Sequence, residues 1–268
     1  MNKQAFFENV IIITGASSGI GQHLALRLAE QGAWLVLAAR NVEHLEEVSK
    51  KCQQLGGKVI VIPTDVAEKS QCQNLIKRTI EKYGKIDALI NNAGFAVASK
   101  FDALNDLTLF ERIIQVNFFG SVYCTHYALP YLKKTNGRLV AISSIRGKLP
   151  SATADGYGAS KHAMTEFFSS LRNELADSKV SVTIIYPGWV STGITSRAIK
   201  ADGMPTGEIS IHEKGAMSAE TCAKIIVKAV AKRKREVVMT FEGKLGLWLR
   251  LIAPKMVDQI LIKKTNQD

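Results

Sequence analysis

The sequence is poor in the residues that build metal centres and disulfide frameworks. Its four cysteines, Cys52, Cys72, Cys124 and Cys222, form no CxxC pair, and its five histidines form no HExxH motif. We therefore expect isolated, reduced thiols in a reducing compartment and no bound metal.

Long apolar runs, repeats and linkers are also missing. No apolar stretch approaches the roughly 18 residues needed to cross a bilayer. The first apolar run begins at Val10, which leaves no room for a signal peptide. No repeat or low-complexity segment divides the 268 residues. These absences predict a single domain over residues 1–268 and a cytoplasmic location.

What the chain does contain is an alternation of short, β-branched apolar runs with helical patterns. Continuous apolar strands separated by helices indicate a parallel sheet that is covered on both faces. We predict an α/β fold, a doubly wound, Rossmann-type sheet of about seven strands whose ligands bind at the carboxyl ends of the strands. The predicted strands are 10–14, 34–39, 58–63, 87–91, 138–144, 180–187 and 236–241, and the main helices lie near 18–31, 68–83, 108–133, 157–177 and 218–234.

A glycine-rich turn, TGASSGIG (14–21), joins the first strand to the first helix. Gly15, Gly19 and Gly21 allow a tight turn and a close approach to a pyrophosphate, and the helix N-terminus adds free N–H groups. The spacing is GxxxGxG rather than GxGxxG, and glycines also serve plain turns. Its place after the first buried strand favours a dinucleotide site.

The second strand ends in LAARN, without the carboxylate that would bind a ribose 2′-hydroxyl of NAD. Arg40 stands there instead, and its guanidinium suits the 2′-phosphate of NADP, although a surface arginine at a strand end is the alternative. Asp65, after the third strand, is placed to meet the adenine. NNAG (91–94) would form a wall of the cofactor site.

Tyr157 and Lys161 lie one helical turn apart, on the same face of a predicted helix. A neighbouring ammonium typically lowers a tyrosine pKa by about 1–3 units from its usual value near 10. We therefore predict a tuned proton donor. The small residues Gly156, Gly158 and Ala159 would leave room for cofactor and substrate.

Six ordered motifs, TGASSGIG, NNAG, Asn117, Ser144, YGASK (157–161) and PGWVST (187–192), resemble those of the short-chain dehydrogenases/reductases. The resemblance covers Val10 to Phe241. SSIRGK, ADGMPTG and LWLRLIAPKMV are further similar to the branch of the 11β-hydroxysteroid dehydrogenases and the dehydrogenase/reductase member 7 proteins.

The resemblance implies roles for the site residues. Lys161 would also hold the nicotinamide ribose, Ser144 would bind the substrate oxygen, Asn117 would hold a water that links Lys161 to solvent, and Thr192 would bind the carboxamide. Asn117 could instead satisfy backbone at a helix bend, Ser144 could be a strand-end cap, and Tyr157 could be an ordinary half-buried aromatic. The full set of predicted cofactor contacts is Gly15, Ser17, Ser18, Gly19, Ile20, Gly21, Arg40, Asp65, Val66, Asn92, Ala93, Gly94, Tyr157, Lys161, Pro187, Gly188, Val190 and Thr192.

Residues 193–217 follow the nicotinamide-binding motif and have the composition of a substrate-covering lid. Arg146 and Lys148 follow Ser144 and could face an anionic substrate, or could be solvated loop cations. The predicted substrate contacts are Ser144, Tyr157 and Arg146.

The C-terminal segment 242–268 is apolar and basic, and residues 224–268 hold 11 Lys/Arg against 4 Asp/Glu. Within 244–264, a helix broken at Pro254 would either lie in an anionic membrane interface or, the favoured interpretation, pack on the substrate pocket or a second subunit. KRKR (232–235) could form a nucleic-acid patch, but a solvated turn at a helix end is favoured, so no nucleic-acid partner is predicted.

Together these features predict an NADP(H)-dependent oxidoreductase that interconverts a carbonyl and a secondary alcohol, with a steroid-like or fatty substrate implied by the resemblance. A 3-ketoacyl-chain reductase and a non-catalytic NADP-sensing or scaffold protein on the same fold are the alternatives. The resemblance also implies a homodimer or homotetramer built through helices 108–133 and 157–177.

Overall fold

The computed structural model describes residues 5–104, 106–150, 155–210, 213 and 215–265. A seven-stranded sheet runs through its centre, and every strand pairs in parallel with its neighbours. Its strands are β1 (Val10–Thr14), β2 (Trp34–Ala39), β3 (Lys58–Pro63), β4 (Ala88–Asn91), β5 (Arg138–Ile142), β6 (Ser181–Tyr186) and β9 (Glu236–Val238), while β7 (Val190–Ser191) and β8 (Met217–Ser218) form a separate pair.

Helices cover both faces of the sheet. They are α1 (Gly19–Ala29), α2 (Val42–Gln54), α3 (Lys69–Tyr83), α4 (Thr108–Ile114), α5 (Gly120–Lys134), α6 (Asp155–Glu174), α7 (Ala219–Ala231), α8 (Phe241–Ile252) and α9 (Pro254–Thr265).

Alternate residues of β1 bury into opposite layers of the core. Ile11 and Ile13 pack with α1, α2 and α7, whereas Val10 and Ile12 pack with α3, α5 and α6. A strand buried on both faces favours apolar residues at successive positions, which explains the run of four apolar residues from Val10 to Ile13. The predicted doubly wound fold is confirmed.

The strand order β3-β2-β1-β4-β5-β6-β9 reverses its direction of growth between β1 and β4. The connections that leave these two strands diverge to opposite faces, so a crevice opens at their carboxyl ends. The glycine-rich turn and NNAG both lie at that crevice.

Two elements differ from their predicted forms. The helix predicted over 108–133 divides into α4, a π-helical turn over Gln115–Phe119 and α5. The last strand ends at Val238 rather than at 241, because Thr240 caps α8 by accepting a hydrogen bond from the Gly243 amide. The predicted break at Pro254 is confirmed, since α8 ends at Ile252 and α9 begins at Pro254.

Two predictions concern side chains outside the site. All four cysteines are buried and unbridged, as predicted, and Cys72 on α3 lies beside Cys124 on α5. A hydrogen bond with Cys72, together with burial, raises the pKa of the Cys124 thiol. In KRKR, Arg233 is not simply solvated, because its guanidinium donates to the carbonyl oxygens of Asn136 (2.6 Å), Lys179 (3.1 Å) and Gly137 (3.2 Å).

Within the described residues, no helix is both long enough and apolar enough to cross a membrane. The same part of the chain holds no group of three or more His, Cys, Asp or Glu side chains arranged to bind a metal ion.

Candidate active site

The glycine-rich turn is so tight that its glycine positions have no room for a side chain. Gly15 and Gly19 have φ angles of 65° and 55°. A Cβ on Gly21 would lie 2.3 Å from the Gly15 carbonyl oxygen, and one on Gly15 would lie 2.8 Å from Cα of Ala93. Ser18, the N-cap residue of α1, makes no side-chain capping bond, so the first helical amides remain available to an external acceptor. This cradle suits a phosphate group.

A small hydrogen-bond cluster joins this turn to the end of β4. Asn92 Nδ2 donates to the carbonyl oxygens of Thr14 (2.9 Å) and Gly15 (3.2 Å). Thr14 Oγ1 accepts from the amides of Asn92 and Ala93, each at 3.0 Å. NNAG therefore supports the turn as well as lining the crevice. Sequence analysis missed Thr14, although a threonine directly before Gly15 at a strand end was the available signal.

Arg40 and Asp65 lie at the predicted adenosine end of the crevice. Arg40 follows β2, is exposed, and has no ion-pair partner among the described residues. The Asp65 carboxylate accepts from the Ala67 amide at 3.0 Å, which fixes the turn after β3. Val66 is buried against Gly120 of α5, so its side chain faces the core rather than the crevice.

Tyr157 and Lys161 meet Ser144 where β5 ends. Lys161 is only 4% exposed, and its Nζ donates to the Ile142 carbonyl oxygen at 2.9 Å and lies 5.7 Å from the centroid of the Tyr157 ring. Ser144 caps the short 3-10 turn Ile145–Gly147 by accepting from the Arg146 amide at 3.2 Å. The three predicted catalytic side chains therefore lie together at one strand end.

The prediction that Lys161 lowers the Tyr157 pKa is wrong in this structure. Burial of the phenol raises the pKa of Tyr157, and a hydrogen bond with Ser144 and the charge of Arg146 only partly oppose that effect. Burial also lowers the pKa of Lys161 to about 8, so the ammonium is itself close to losing its charge. The phenol is consequently held in its protonated form.

Asn117 lies fully buried in the π-helical turn between α4 and α5. Its Oδ1 accepts from the Phe95 amide, and its Nδ2 donates to the Phe95 carbonyl oxygen and to Ser160 Oγ, all at 3.0 Å. A Cβ on Gly94 would lie 2.9 Å from Asn117 Oδ1 and 3.6 Å from Lys161 Nζ. Asn117 thus forms hydrogen bonds with backbone groups at a helix bend, as the alternative interpretation predicted. It also lies close to Lys161.

Of the three small residues of α6 expected to leave room for ligands, Gly156 has a different role, whereas Gly158 and Ala159 have open surroundings. A Cβ on Gly156 would lie 2.9 Å from Ile113 and 3.2 Å from Phe110, so Gly156 permits helix packing rather than ligand access. A Cβ on Gly158 would lie 3.9 Å from its nearest neighbour, the Arg146 carbonyl oxygen, and Ala159 is exposed. An apolar hollow adjoins Gly156 and is lined by Val97, Ser99, Phe101, Leu104, Leu109, Phe110 and Ile113.

Glu213 is a buried carboxylate in the lid that sequence analysis missed, because no local pattern distinguishes it from other loop acids. It is 3% exposed and accepts from the amides of Thr192 (2.7 Å), Gly193 (2.5 Å) and Thr195 (3.4 Å), and from the Thr195 hydroxyl. Burial raises its pKa, but these hydrogen bonds outweigh burial and hold the pKa below its usual value. Glu213 and its three partners form what we term the lid clasp.

The lid is also bonded at other points. Ile199 pairs with Val97 in an isolated bridge, and Val190 pairs with Met217 where β7 meets β8. Thr192 lies beside the cradle, since a Cβ on Gly19 would be 3.2 Å from its Cβ. The lid clasp therefore borders the predicted cofactor site directly.

The PGWVST segment starts where β6 ends and stays close to β5. The Pro187 carbonyl oxygen accepts from the Ile145 amide at 2.8 Å. A Cβ on Gly188 would lie 2.7 Å from Thr240, so only glycine fits there.

Of the two cations after Ser144, Lys148 is directed away from the site. Its Nζ pairs with the Glu236 carboxylate at 2.9 Å and lies 4.5 Å from the centroid of the Tyr186 ring. Arg146 remains beside Tyr157, where its charge is felt by the phenol.

The order of these motifs and the sheet that carries them match a known family. Residues 9–202 match the family described as short chain dehydrogenase. The chain belongs to this family. Short-chain dehydrogenases are oxidoreductases that act on alcohols and ketones, and the chain shares this class of activity.

Two plant short-chain dehydrogenases show which branch is nearby. The 11-beta-hydroxysteroid dehydrogenase-like 2 protein of Arabidopsis thaliana is 38% identical over 264 residues, which cover 97% of this chain and 83% of that protein. The 11-beta-hydroxysteroid dehydrogenase-like 4A protein of the same plant is 37% identical over 249 residues, with coverage of 92% and 82%. The predicted family and branch are confirmed.

Two solved short-chain dehydrogenase structures share the fold. A protein from Burkholderia phymatum, in complex with NAD, superposes with a TM-score of 0.83 at 24% identity, covering 94% of this chain and 96% of that one. The alcohol dehydrogenase of Thermococcus sibiricus, complexed with 5-hydroxy-NADP, gives a TM-score of 0.75 at 26% identity, with coverage of 87% and 96%. The fold thus belongs to nucleotide-binding oxidoreductases, among which both forms of the cofactor occur.

Proposed function

We propose that the chain, acting as one catalytic domain over residues 1–268, uses NADP(H) to interconvert a carbonyl and a secondary alcohol on a lipophilic substrate. The observation that supports this most is the meeting of Ser144, Tyr157 and Lys161 at the end of β5, with Asn117 beside the lysine. In a non-catalytic scaffold nothing would require these four side chains together at the mouth of the nucleotide crevice.

The crevice fits a dinucleotide. The cradle at Gly15, Gly19 and Gly21 would hold the pyrophosphate, and the exposed guanidinium of Arg40 would pair with a 2′-phosphate, which favours NADP over NAD. When bound, the nicotinamide supplies or accepts the hydride. The other residues proposed to contact the cofactor are Ser17, Ser18, Ile20, Asp65, Asn92, Ala93, Gly94, Pro187, Gly188, Val190, Thr192, Tyr157 and Lys161, with Val66 restricted to backbone contacts.

The chain's own groups would manage the proton and the oxygen. In the reducing direction, the Tyr157 hydroxyl would give its proton to the carbonyl oxygen of the substrate. Ser144 would donate a hydrogen bond to that oxygen as negative charge develops. The Lys161 ammonium would stabilise the tyrosinate that remains, and Asn117 would hold the water through which the proton is replaced.

The substrate proposal rests on the names of the relatives, and a small apolar hollow between the 97–113 region and α6 agrees with a lipophilic substrate. The hollow offers almost entirely apolar side chains beside Gly156, the residue next to Tyr157. Arg146, whose charge acts on the Tyr157 phenol, would also contact the substrate.

Tyr157→Phe tests the reaction. Loss of the hydroxyl removes general acid catalysis, so turnover should fall by about 10²–10⁴-fold, while NADPH binding measured by fluorescence should be kept. Tyr131→Phe, a half-buried tyrosine on α5, is the matched control and should retain turnover. A panel of steroid-like ketones, fatty ketones and 3-ketoacyl thioesters, followed by NADPH absorbance, separates the substrate classes. Unchanged turnover in Tyr157→Phe would remove this residue from the mechanism, and preference for the thioesters would replace the lipophilic ketone with the acyl-chain alternative.

A further inference from the structure

The two C-terminal helices expose many large apolar side chains. Phe241, Leu245, Trp248 and Ile252 follow at spacings of four, three and four residues, which places them on one side of α8. Phe241 is 75% exposed and Trp248 is 60% exposed, and the neighbouring Leu251 is 83% exposed. We name the following set the C-terminal apolar face: Phe241, Leu245, Trp248, Leu251, Ile252, Met256, Ile260 and Ile262.

The opposite side of α8 holds the helix in place. A Cβ on Gly243 would lie 3.0 Å from Ile145, and one on Gly246 would lie 3.1 Å from Leu149, so the helix packs closely against the turn that follows Ser144. Arg250 adds a hydrogen bond from its guanidinium to the Lys148 carbonyl oxygen at 2.8 Å. These contacts turn the α8 part of the apolar face outward, and the side chains of the whole face are 43–83% exposed among the described residues.

The positive charge near this face favours an anionic lipid surface over a second copy of the chain as its partner. Lys244 on α8 and Lys255 on α9 are exposed, and residues 241–265 contain five Lys/Arg against two Asp/Glu. In a two-fold interface each subunit offers the same patch, so a second copy would bring positive charge against positive charge. An anionic lipid surface complements both the cations and the apolar side chains, and a tryptophan beside basic residues suits the headgroup layer.

We propose that the C-terminal apolar face docks the protein on the surface of an anionic lipid bilayer. The helices α8 and α9 would lie in the plane of the interface, with Trp248 and Leu251 below the headgroups. Because α8 contacts the turn after Ser144, docking would bring the substrate side of the active site close to the lipid. This inference is independent of the proposed reaction.

Vesicle flotation of the full chain tests the docking. Vesicles of phosphatidylcholine alone and of phosphatidylcholine mixed with phosphatidylglycerol are compared, at low and high salt. We expect the protein to float with the anionic vesicles and to be released by salt. The double variant Trp248→Glu/Leu251→Glu should reduce the bound fraction at least tenfold. Leu55→Glu, an exposed leucine at the end of α2, is the matched control and should float like the unmodified chain.

Two further measurements make the outcome decisive. The mass measured by light scattering shows whether the face joins two copies of the chain, and a dimer that the double variant converts to a monomer would overturn lipid docking. Absence of flotation, or equal flotation on neutral vesicles, would overturn it as well. Tyr157→Phe should float normally, so that a failure of docking and a failure of the proposed reaction are distinguished.

Discussion

At the scale of single residues, burial of the Lys161 ammonium carries an energetic cost. Its Nζ has the Ile142 carbonyl oxygen as hydrogen-bond acceptor, and burial lowers its pKa from 10.5 to about 8. A lysine so nearly neutral costs folding free energy when it is charged. Retaining it there is consistent with a functional requirement for a cation beside Tyr157.

This burial predicts an unusual pH dependence of stability. Between pH 8 and 10.5 the unfolded chain binds the Lys161 proton and the folded chain does not, so the free energy of unfolding should rise with pH across that window. Relative to Lys161→Met, the gain should reach up to about 3 kcal/mol. Urea unfolding of both proteins at several pH values between 7.5 and 10 measures it. Parallel pH profiles for the two proteins would contradict the lowered pKa.

Arg40 carries the cofactor preference in the proposal, and it is exposed, so its replacement should not disturb the fold. Arg40→Ala should weaken NADPH binding by about 1.5–3 kcal/mol, the value of a charged hydrogen-bonded contact, and leave NADH binding nearly unchanged. Isothermal titration with both nucleotides provides the comparison. Equal losses for the two would show that Arg40 does not contact a 2′-phosphate.

At the scale of elements, two glycines of α6 that look alike in the sequence have different surroundings. Gly156→Ala should destabilise the protein, because the new Cβ would lie 2.9 Å from Ile113 and force α4 away from α6. Gly158→Ala should be neutral or stabilising by up to about 1 kcal/mol, since the new Cβ would lie 3.9 Å from the nearest atom and alanine favours the helix. Thermal unfolding of both variants tests the pair. If both variants lost stability equally, packing against α4 would not explain Gly156.

The lid clasp should control how firmly residues 193–217 are held. Glu213→Gln puts an amide N–H₂ where a carboxylate oxygen accepts, so the clasp should weaken by about 1.5–3 kcal/mol and proteolysis within the lid should accelerate. Because the Glu213 pKa is lowered, the carboxylate stabilises the lid above pH 4.5 and that stability should fade as the pH drops further. Glu208→Gln, an exposed acid in the same lid, is the control. Identical cleavage rates in the two variants would show that the clasp does not hold the lid.

The strands and the site were predictable from sequence to different degrees. The apolar runs predicted every strand of the main sheet, because the central strands are buried on both faces and are therefore built mainly from apolar residues. Ser144, Tyr157 and Lys161 could be recognised by type and spacing. The partners of Glu213, the pairing of Lys148 with Glu236 and the packing of Gly156 depend on contacts between residues distant in the chain. No local pattern encodes them, and the burial that raises the Tyr157 pKa is equally invisible in YGASK.

At the scale of the whole molecule, two outward apolar surfaces lie on different elements. One is the C-terminal apolar face, and the other is an aromatic group around the π-helical turn. In that group Phe118 and Phe119 lie 5.2 Å apart, Phe119 stacks on Tyr123 at 6.0 Å, and Phe118 meets Phe167 of α6 at 6.0 Å. Phe119 is exposed, whereas Phe118, Tyr123 and Phe167 are half-buried. The group spans the two helical regions through which the family resemblance implies an oligomer, and aromatic side chains are enriched at subunit contacts.

We therefore expect the chain to form a homodimer or homotetramer through the aromatic group of α5 and α6. Phe119→Asp places a charge at the centre of that contact, so the mass measured by light scattering should fall to that of a single chain at micromolar concentration. Leu251→Glu, on the C-terminal apolar face, should leave the mass unchanged. An oligomer that survives Phe119→Asp but is lost in Leu251→Glu would assign self-association to the C-terminal helices. That result would also contradict lipid docking, because a face covered by a second copy has no apolar surface left for lipid.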